Sequence, residues 1–413
     1  MKPRPRTTTT AEDPRSLQYL GRIERAVRRH EQWRLRECLN LIPSENHGSA
    51  ASRALLSSDF GNRYNAPDRF YRGTRYTDEV LSVTEELARK VFRAKFADVR
   101  PLSGHTANLA VLLTMAQRGD SIVSVSPDDG GYPGISPQGL GGLLGLRNLY
   151  FPFDRKAVNI KPKESTEQAK KSDPRLLIFG ASYITFPHPL ESVSTGPRIT
   201  KVYDGSHVLG LIAGGQFQDP LREGCPLLFG STHKSLPGPQ GGILLSNDED
   251  TFQVSSKIFP GIVDNIHLNR VAALGVALLE MLKFGREYAE QIVQNSQALA
   301  RALSSRGVEV RGASHGFTKS HQVLLDYSEA RFRLLSEKLE QANIIVDEAG
   351  RIGTSELTRM GYRARDMEEV AELVSLVVLG KERPGSVKKR VKRLVAEFQE
   401  PRFVLSSPPD RLA

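Results

Sequence analysis

The sequence predicts an α/β protein: a large domain built on a mainly parallel sheet, followed by a smaller C-terminal α+β domain. Two observations carry this. Between residues 121 and 246, five short apolar runs alternate with helical or glycine-rich segments, the pattern of strands buried on both faces and covered by helices. Beyond about residue 265 the pattern changes to long helical periodicities broken by short apolar stretches. A length of 413 residues leaves room for two or three domains of roughly 150 residues.

The chain opens with MKPRPRTTTTAEDPRS, which is basic and Thr-rich with no apolar run after it. Residues 1–16 therefore read as a disordered tail and not as a secretory signal, and Glu12 and Asp13 are out of place in a transit peptide. Residues 17–60 form an N-terminal arm. In it Leu17, Leu20, Ile23 and Val27 recur at helical spacing as far as Arg36. The large domain is expected over 61–265. It starts with a helix from Thr77 to Phe96, whose Val80, Val83, Leu87 and Val91 form one stripe. The buried strands are SIVSVS (121–126), RLLIFGAS (175–182), KVYDGSH (201–207), PLLFGSTH (226–233) and GGILLS (241–246). Residues 266–413 make a linking helix (267–305) and the small domain, with a strand pair around 308–326 and helices at 329–342, 366–382 and 386–399. No internal repeat is present.

Lys and Arg outnumber Asp and Glu to give a net charge of +10. That balance favours an anionic partner: a phosphorylated cofactor, a polyanionic substrate or nucleic acid. The two cysteines, Cys38 and Cys225, match no metal or redox spacing. They exclude a disulfide framework, read as small buried hydrophobes, and point to a reducing, cytoplasmic setting. No apolar run approaches the roughly 18 residues of a membrane-spanning helix.

The most informative stretch is YDGSHVLGLIAGGQFQDPLREGCPLLFGSTHKSLPGPQGG (203–242). It puts Asp204 and His207 at the end of one strand and a Ser-Thr-His-Lys run, ending in Lys234, at the end of the next. Open α/β sheets bind ligands at such ends. An Asp and a Lys on neighbouring strand ends suit pyridoxal phosphate: the lysine bonds to the aldehyde, and the carboxylate keeps the pyridine nitrogen protonated. Taken singly, Asp204 is equally a turn cap and Lys234 a solvated lysine. LSGHTAN (102–108) supplies a phosphate cradle, since Ser103 and Gly104 open an apolar helix with free amides and a favourable dipole.

With these segments in order, the chain resembles serine hydroxymethyltransferase, a fold-type I pyridoxal-phosphate enzyme of the aspartate-aminotransferase-like class, and looks most like its archaeal branch. LNLIPSENHGS (39–49), VRPLSGHTANLAV (99–111), PDDGGY (127–132), YDGSHVLGLIAG (203–214), GSTHKSLPGPQGG (230–242), FPGIV (259–263) and GRIGTSELTRMG (350–361) carry the resemblance. It implies Lys234 as the Schiff-base lysine, preceded by His233, with Asp204 on the pyridine nitrogen and His207 near the phenolic oxygen. Ser103, Gly104 and the His105 amide would bind phosphate, and Ser182 and Thr232 would line the ring. Arg351 would grip the amino-acid carboxylate, a bidentate task suited to guanidinium. Ser44, Tyr64 and Tyr71 match residues at the substrate mouth, some reaching a neighbouring subunit's site, so a homodimer is expected. The implied reaction interconverts serine and glycine, or cleaves or forms a related β-hydroxy amino acid.

Three departures from the family stand out. Tyr132 occupies the place of a histidine over the pyridine ring, where it can stack but carries no charge near neutral pH. The loop RYNAPDRFYRG (63–73) is short and lacks the family's glutamate, offering only Asn65 and Asp68. VDEAGR (346–351) replaces a longer loop that helps hold the pterin. All three fall on the side of the tetrahydrofolate or other pterin carrier and its proton transfers. A carrier-independent aldolase or transaldolase of the same fold is therefore the alternative.

A reading of another class is a catalytically weak binding paralogue, prompted by the charge and by SVKKRVKRLVAEF (386–398). An amphipathic helix packed on the small domain explains that segment without nucleic acid, and no interleaved aromatics support RNA binding.

Overall fold

The computed structural model describes residues 14–66 and 70–406. Most of the tail predicted for 1–16 lies outside the described residues, as does Asp68. Residues 14–16 already belong to helix α1 (Pro14–Arg36). Its stripe of Leu17, Leu20, Ile23 and Val27 stays exposed. The helix is anchored at its far end, where Trp33 Nε1 donates to Asn343 Oδ1 at 3.1 Å and Arg34 Nε donates to Asn40 Oδ1 at 2.8 Å. Helix α2 (Arg75–Phe92) ends four residues before the predicted Phe96, because Arg93 turns left-handed and breaks the helical path.

The central sheet has seven strands: β1 (Phe96–Asp98), β2 (Ser121–Ser124), β3 (Arg147–Tyr150), β4 (Leu176–Phe179), β5 (Thr200–Asp204), β6 (Leu227–Ser231) and β7 (Gly242–Ser246). Their spatial order is β1-β7-β6-β5-β4-β2-β3. From β6 to β3 all pairings are parallel, while β7 runs antiparallel to both of its neighbours. Strands β2, β4, β6 and β7 are buried at every position, as continuous apolar runs in a covered sheet should be. The short strands β1 and β3 had no comparable apolar run to announce them. Helix α3 (Gly104–Met115) packs on one face, where Ala107, Val111 and Leu112 join Ile122, Ile178 and Phe229 in one cluster.

Helix α4 (Leu268–Ser305) is 38 residues long, about 57 Å at 1.5 Å per residue. Its first two-thirds, through Leu274, Leu278 and Ile292, belongs to the core on the other sheet face. Its last turns, through Leu299 and Leu303, belong to a separate C-terminal core. That second core is built from β8 (Gln322–Leu324), α5 (Glu329–Gln341), β9 (Arg351–Gly353), α6 (Ser355–Arg359), α7 (Met367–Val378) and α8 (Pro384–Ala396). The strand pair predicted around 308–326 is reduced to a single bridge, Val310 to Leu325, and β8 pairs instead with β9, antiparallel. In α8 the predicted stripe of Val387, Val391, Leu394 and Val395 is buried in this core. Two cations of its basic face are paired, Arg390 with Glu372 at 2.6 Å and Lys392 with Glu37 at 3.1 Å. Cys38 and Cys225 are buried free thiols, each pushed up to about 12 by burial. Among the described residues no helix is long and apolar enough to cross a membrane.

Arg359 and Glu280 form an ion pair in which each side chain is 1% exposed. Replacing Arg359 by Met strands a buried carboxylate and should lower unfolding free energy by about 3–5 kcal/mol, whereas Arg359→Met with Glu280→Met should recover most of the loss. Urea unfolding midpoints of the two variants check this, and equal midpoints would contradict it.

Candidate active site

The carboxyl ends of β2, β4, β5 and β6 and the N-terminus of α3 enclose one cleft, lined by Gly104, His105, Asn108, Tyr132, Ser182, Asp204, His207 and Lys234 among others.

Each wall has a local cause. β5 ends at Asp204, whose Oδ1 accepts from the Ser206 amide at 2.9 Å and whose Oδ2 accepts from Asn108 Nδ2 at 2.9 Å. Two donors fix the carboxylate, and it keeps lone pairs for a third. Asn108 stands one helical turn into α3, and its buried Oδ1 has no partner.

At the start of α3, Ser103 Oγ accepts from the Thr106 amide at 3.1 Å, and the Ser103 amide donates to Thr106 Oγ1 at 2.9 Å. This capping box leaves the amides of Gly104 and His105 with no acceptor among the described residues. They lie at the positive end of the helix dipole and can receive an anion. A Cβ at position 104 would come within 2.9 Å of the Ser231 amide nitrogen and 3.0 Å of Ser206 Oγ. Glycine is what lets this helix end sit against β6.

Lys234 follows β6, and its amine has no hydrogen-bond or ion-pair partner among the described residues. Burial pushes its pKa down to about 8, against the pull of Asp204 and with the help of Arg351. Its carbonyl accepts from Asn46 Nδ2 at 2.6 Å, and Asn46 Nδ2 also donates to the Tyr288 hydroxyl at 2.8 Å. His207 is buried, its Nδ1 is 3.0 Å from Gln322 Nε2, and its ring stacks on His321 at 5.8 Å. Burial, with the nearby cations, holds its pKa well below the usual value, so the ring is neutral.

Tyr132 lines the cleft, and its hydroxyl is 3.0 Å from His105 Nδ1. Burial and then Asp204 raise its pKa, so the phenol stays neutral. Arg351 begins β9 and abuts the cleft wall, where its Nη1 donates to the Ser182 carbonyl at 2.8 Å. Its Nε and Nη2 both donate to Asp347 Oδ2, at 2.9 and 2.8 Å, and its guanidinium lies 5.0 Å from the Tyr183 ring centroid. One N–H on each terminal nitrogen remains, enough to hold a carboxylate.

Other residues predicted around the cofactor face elsewhere. Thr232 is fully buried outside the cleft, its hydroxyl given to the Pro239 carbonyl at 2.7 Å. His233 turns into a second, polar cleft that it shares with Ser44, Asn46 and Glu356; burial lowers its pKa to about 4. Ser103 caps α3 and does not line the cleft. Tyr64 and Tyr71 pack against each other with ring centroids 5.2 Å apart, Tyr64 exposed, and neither they nor Ser44 lines the Lys234 cleft within one chain. Asn65 is buried and gives its Nδ2 to Thr77 Oγ1 at 3.0 Å and Asp78 Oδ1 at 2.8 Å.

Sequence reasoning missed Asn108, Asp347 and Gln322. Asn108 was legible as the last residue of LSGHTAN, one turn after the glycine, and Asp347 as a carboxylate four residues before Arg351. Gln322 carried no local signal, since its partners are 138, 140 and 115 residues away.

A sequence profile described as "Serine hydroxymethyltransferase" matches residues 22–374. The chain is similar to the serine hydroxymethyltransferase of Methanopyrus kandleri, 41% identical across 95% of this chain and 96% of that one. It is 40% identical to that of Methanocaldococcus jannaschii, across 90% and 92%. Among solved structures it is similar to an L-threonine transaldolase from Pseudomonas fluorescens in its internal aldimine state, with a TM-score of 0.88, 27% identity and 94% of each chain covered.

A pKa near 8 means that the Lys234 amine becomes half deprotonated about two pH units below an ordinary lysine. Acylation of the cofactor-free protein, mapped by peptide mass spectrometry, should give Lys234 a pH midpoint near 8 while surface lysines follow at roughly 10.4. A Lys234 profile that overlays the surface lysines would contradict the desolvated site.

Proposed function

The chain belongs to the serine hydroxymethyltransferase family, and from that premise we propose that it makes or breaks the Cα–Cβ bond of serine or a related β-hydroxy amino acid, with glycine as the other amino acid and pyridoxal phosphate as cofactor. The observation that supports this most is the Lys234 amine, buried and shifted to about 8, in one cleft with Asp204 and the unused amides of Gly104 and His105. The orphaned Asn108 Oδ1 and the glycine-only helix start fit a ligand in that cleft. When bound, pyridoxal phosphate supplies an aldehyde for covalent attachment and a ring that accepts the electron pair released at Cα.

The chain's own groups then divide the work. The Gly104 and His105 amides receive the phosphate. Asp204, held by Ser206 and Asn108, would accept a hydrogen bond from the protonated ring nitrogen. Lys234 supplies the amine for attachment, and at neutral pH a usable fraction of it is unprotonated. Tyr132 offers a neutral ring face. Arg351, aimed by Asp347 and Ser182, takes the substrate carboxylate through its two remaining N–H groups.

Some of Ser44, Tyr64 and Tyr71 enter this scheme through a second copy of the chain, and we take the enzyme to be a homodimer. An open apolar cleft lined by Leu55, Phe60, Val80, Val83, Ala272 and Leu279, together with the exposed Leu56 and Leu282, supports that surface. The two buried, unpaired thiols support a cytoplasmic setting.

The second reading, a carrier-independent aldolase or transaldolase, is favoured by the transaldolase likeness and by Asn65, whose amide is spent on the Thr77 and Asp78 side chains of α2 and carries no acid. Incubation with serine, threonine and allo-threonine, with and without tetrahydrofolate or a methanopterin, tests both readings through the glycine formed. Serine cleavage only with a carrier supports hydroxymethyl transfer, carrier-free cleavage supports the second reading, and no glycine under any condition overturns both. Arg351→Lys should raise the KM for serine about 10- to 100-fold, the loss of a charged hydrogen bond, with a much smaller change in kcat; an unchanged KM would remove Arg351 from the carboxylate.

A further inference from the structure

Gln322 has no task in the scheme above, yet it sits where the C-terminal core meets the cleft. It opens β8 and is completely buried. Its Oε1 accepts from the Ile184 amide at 3.0 Å, and its Nε2 lies 3.0 Å from the Ser182 carbonyl and 3.0 Å from His207 Nδ1. Two of these partners have fixed polarity: a backbone N–H only donates and a carbonyl only accepts. Together they orient the carboxamide, with oxygen toward Ile184 and NH₂ toward Ser182. Facing that NH₂, His207 Nδ1 has to be the acceptor.

A neutral imidazole with an accepting Nδ1 carries its proton on Nε2. That nitrogen has no partner among the described residues, and His207 lines the cleft. The ring has little freedom to turn, because it lies nearly parallel to His321, 17° between planes, and His321 Nε2 is in turn 3.1 Å from the Pro43 carbonyl.

We propose that Gln322 is a positioning residue that holds His207 as its Nε2–H tautomer, so that the cleft meets a hydrogen-bond donor at His207 and not a lone pair. The chemistry that suits such a donor is an anionic or carbonyl oxygen of the bound ring. The proposal rests on the cofactor reading for its purpose, but the tautomer is a property of the chain itself. Because Gln322 stands on β8 and His207 just past β5, the bond also makes docking of the C-terminal core a condition for a correctly protonated cleft.

The test is nitrogen NMR of the full-length, ¹⁵N-histidine-labelled protein, with and without pyridoxal phosphate, His207 being assigned by comparison with His207→Asn. The expected result is an unprotonated Nδ1 and a protonated Nε2; the reverse overturns the proposal without any variant having to fold. In Gln322→Glu, which offers only acceptors, the proton should move to Nδ1 or both nitrogens should carry one. Gln322→Leu should mix the tautomers and weaken pyridoxal phosphate about tenfold, the effect of one lost hydrogen bond. An unchanged tautomer in both variants overturns the role of Gln322. If the wild type takes up no pyridoxal phosphate, the cofactor reading fails, while the signal of the unloaded protein still decides the tautomer.

Discussion

The geometry of this site depends on a charged pair that never meets water. Arg359 donates to Glu280 in the long helix, to the His47 carbonyl at 3.2 Å and to the Phe403 carbonyl at 2.7 Å. The Leu405 amide, at 3.2 Å, satisfies the other oxygen of Glu280. Burying two charges is costly and is tolerated when further hydrogen bonds satisfy them, and here every charged nitrogen and oxygen of the pair has at least one partner. The consequence is positional. Three stretches of chain that are remote in sequence are pinned to one point of α4, and α6, which carries Arg359, follows β9 by one residue. β9 begins with Arg351 and pairs with β8 in the register Leu324 to Arg351 and Gln322 to Gly353. One clamp therefore sets the position of both side chains that the C-terminal core sends to the cleft.

The same clamp reaches Lys234 from the other side. His47 adjoins Asn46, and Asn46 holds both the Lys234 carbonyl and the Tyr288 hydroxyl. The backbone of this lysine is tied down while its amine is left bare, a division that makes chemical sense. A fixed backbone keeps the amine aimed at the cleft. A bare, desolvated amine is disfavoured as a cation and therefore available as a nucleophile. Asn108 Oδ1, on the wall of that cleft, is buried without a partner. A sequence tends to break the rule of satisfied polar groups where function asks for it.

What the sequence disclosed and withheld follows from range. β2, β4, β5, β6 and β7 were legible because buried strands are written as unbroken apolar runs, and α4 because 38 residues of periodicity average out local noise. Asp204, Lys234 and Gly104 were legible because each ends or begins such an element, where open sheets collect ligands. Thr232 and His233 sit beside Lys234 in sequence yet lie outside its cleft, because the chain has left the strand at Ser231: the Pro239 carbonyl takes the Thr232 hydroxyl and His233 faces the second cleft. Gln322 could not be found from its neighbours, since a buried glutamine on a strand means nothing until its distant partners are known. The same holds for the antiparallel direction of β7, which no local pattern encodes.

The short loop before Arg351 fixes the arginine by its own geometry. In VDEAGR the tight turn needs Gly350 at φ +74°, and it brings Asp347 back onto the arginine four residues later. Bound by Asp347 Oδ2 on one edge and by Ser182 on the other, over the Tyr183 ring, the guanidinium has a single remaining orientation. Such pre-organisation lowers the entropy lost on binding a carboxylate. The neighbouring negative charge simultaneously weakens the pull on any anion that cannot use both remaining N–H groups. An arginine held this way favours a compact α-carboxylate presented end-on over a looser or larger anion. A loop long enough to wall in a bulky carrier would not have to make that turn. The short turn and the fixed guanidinium thus come from the same few residues.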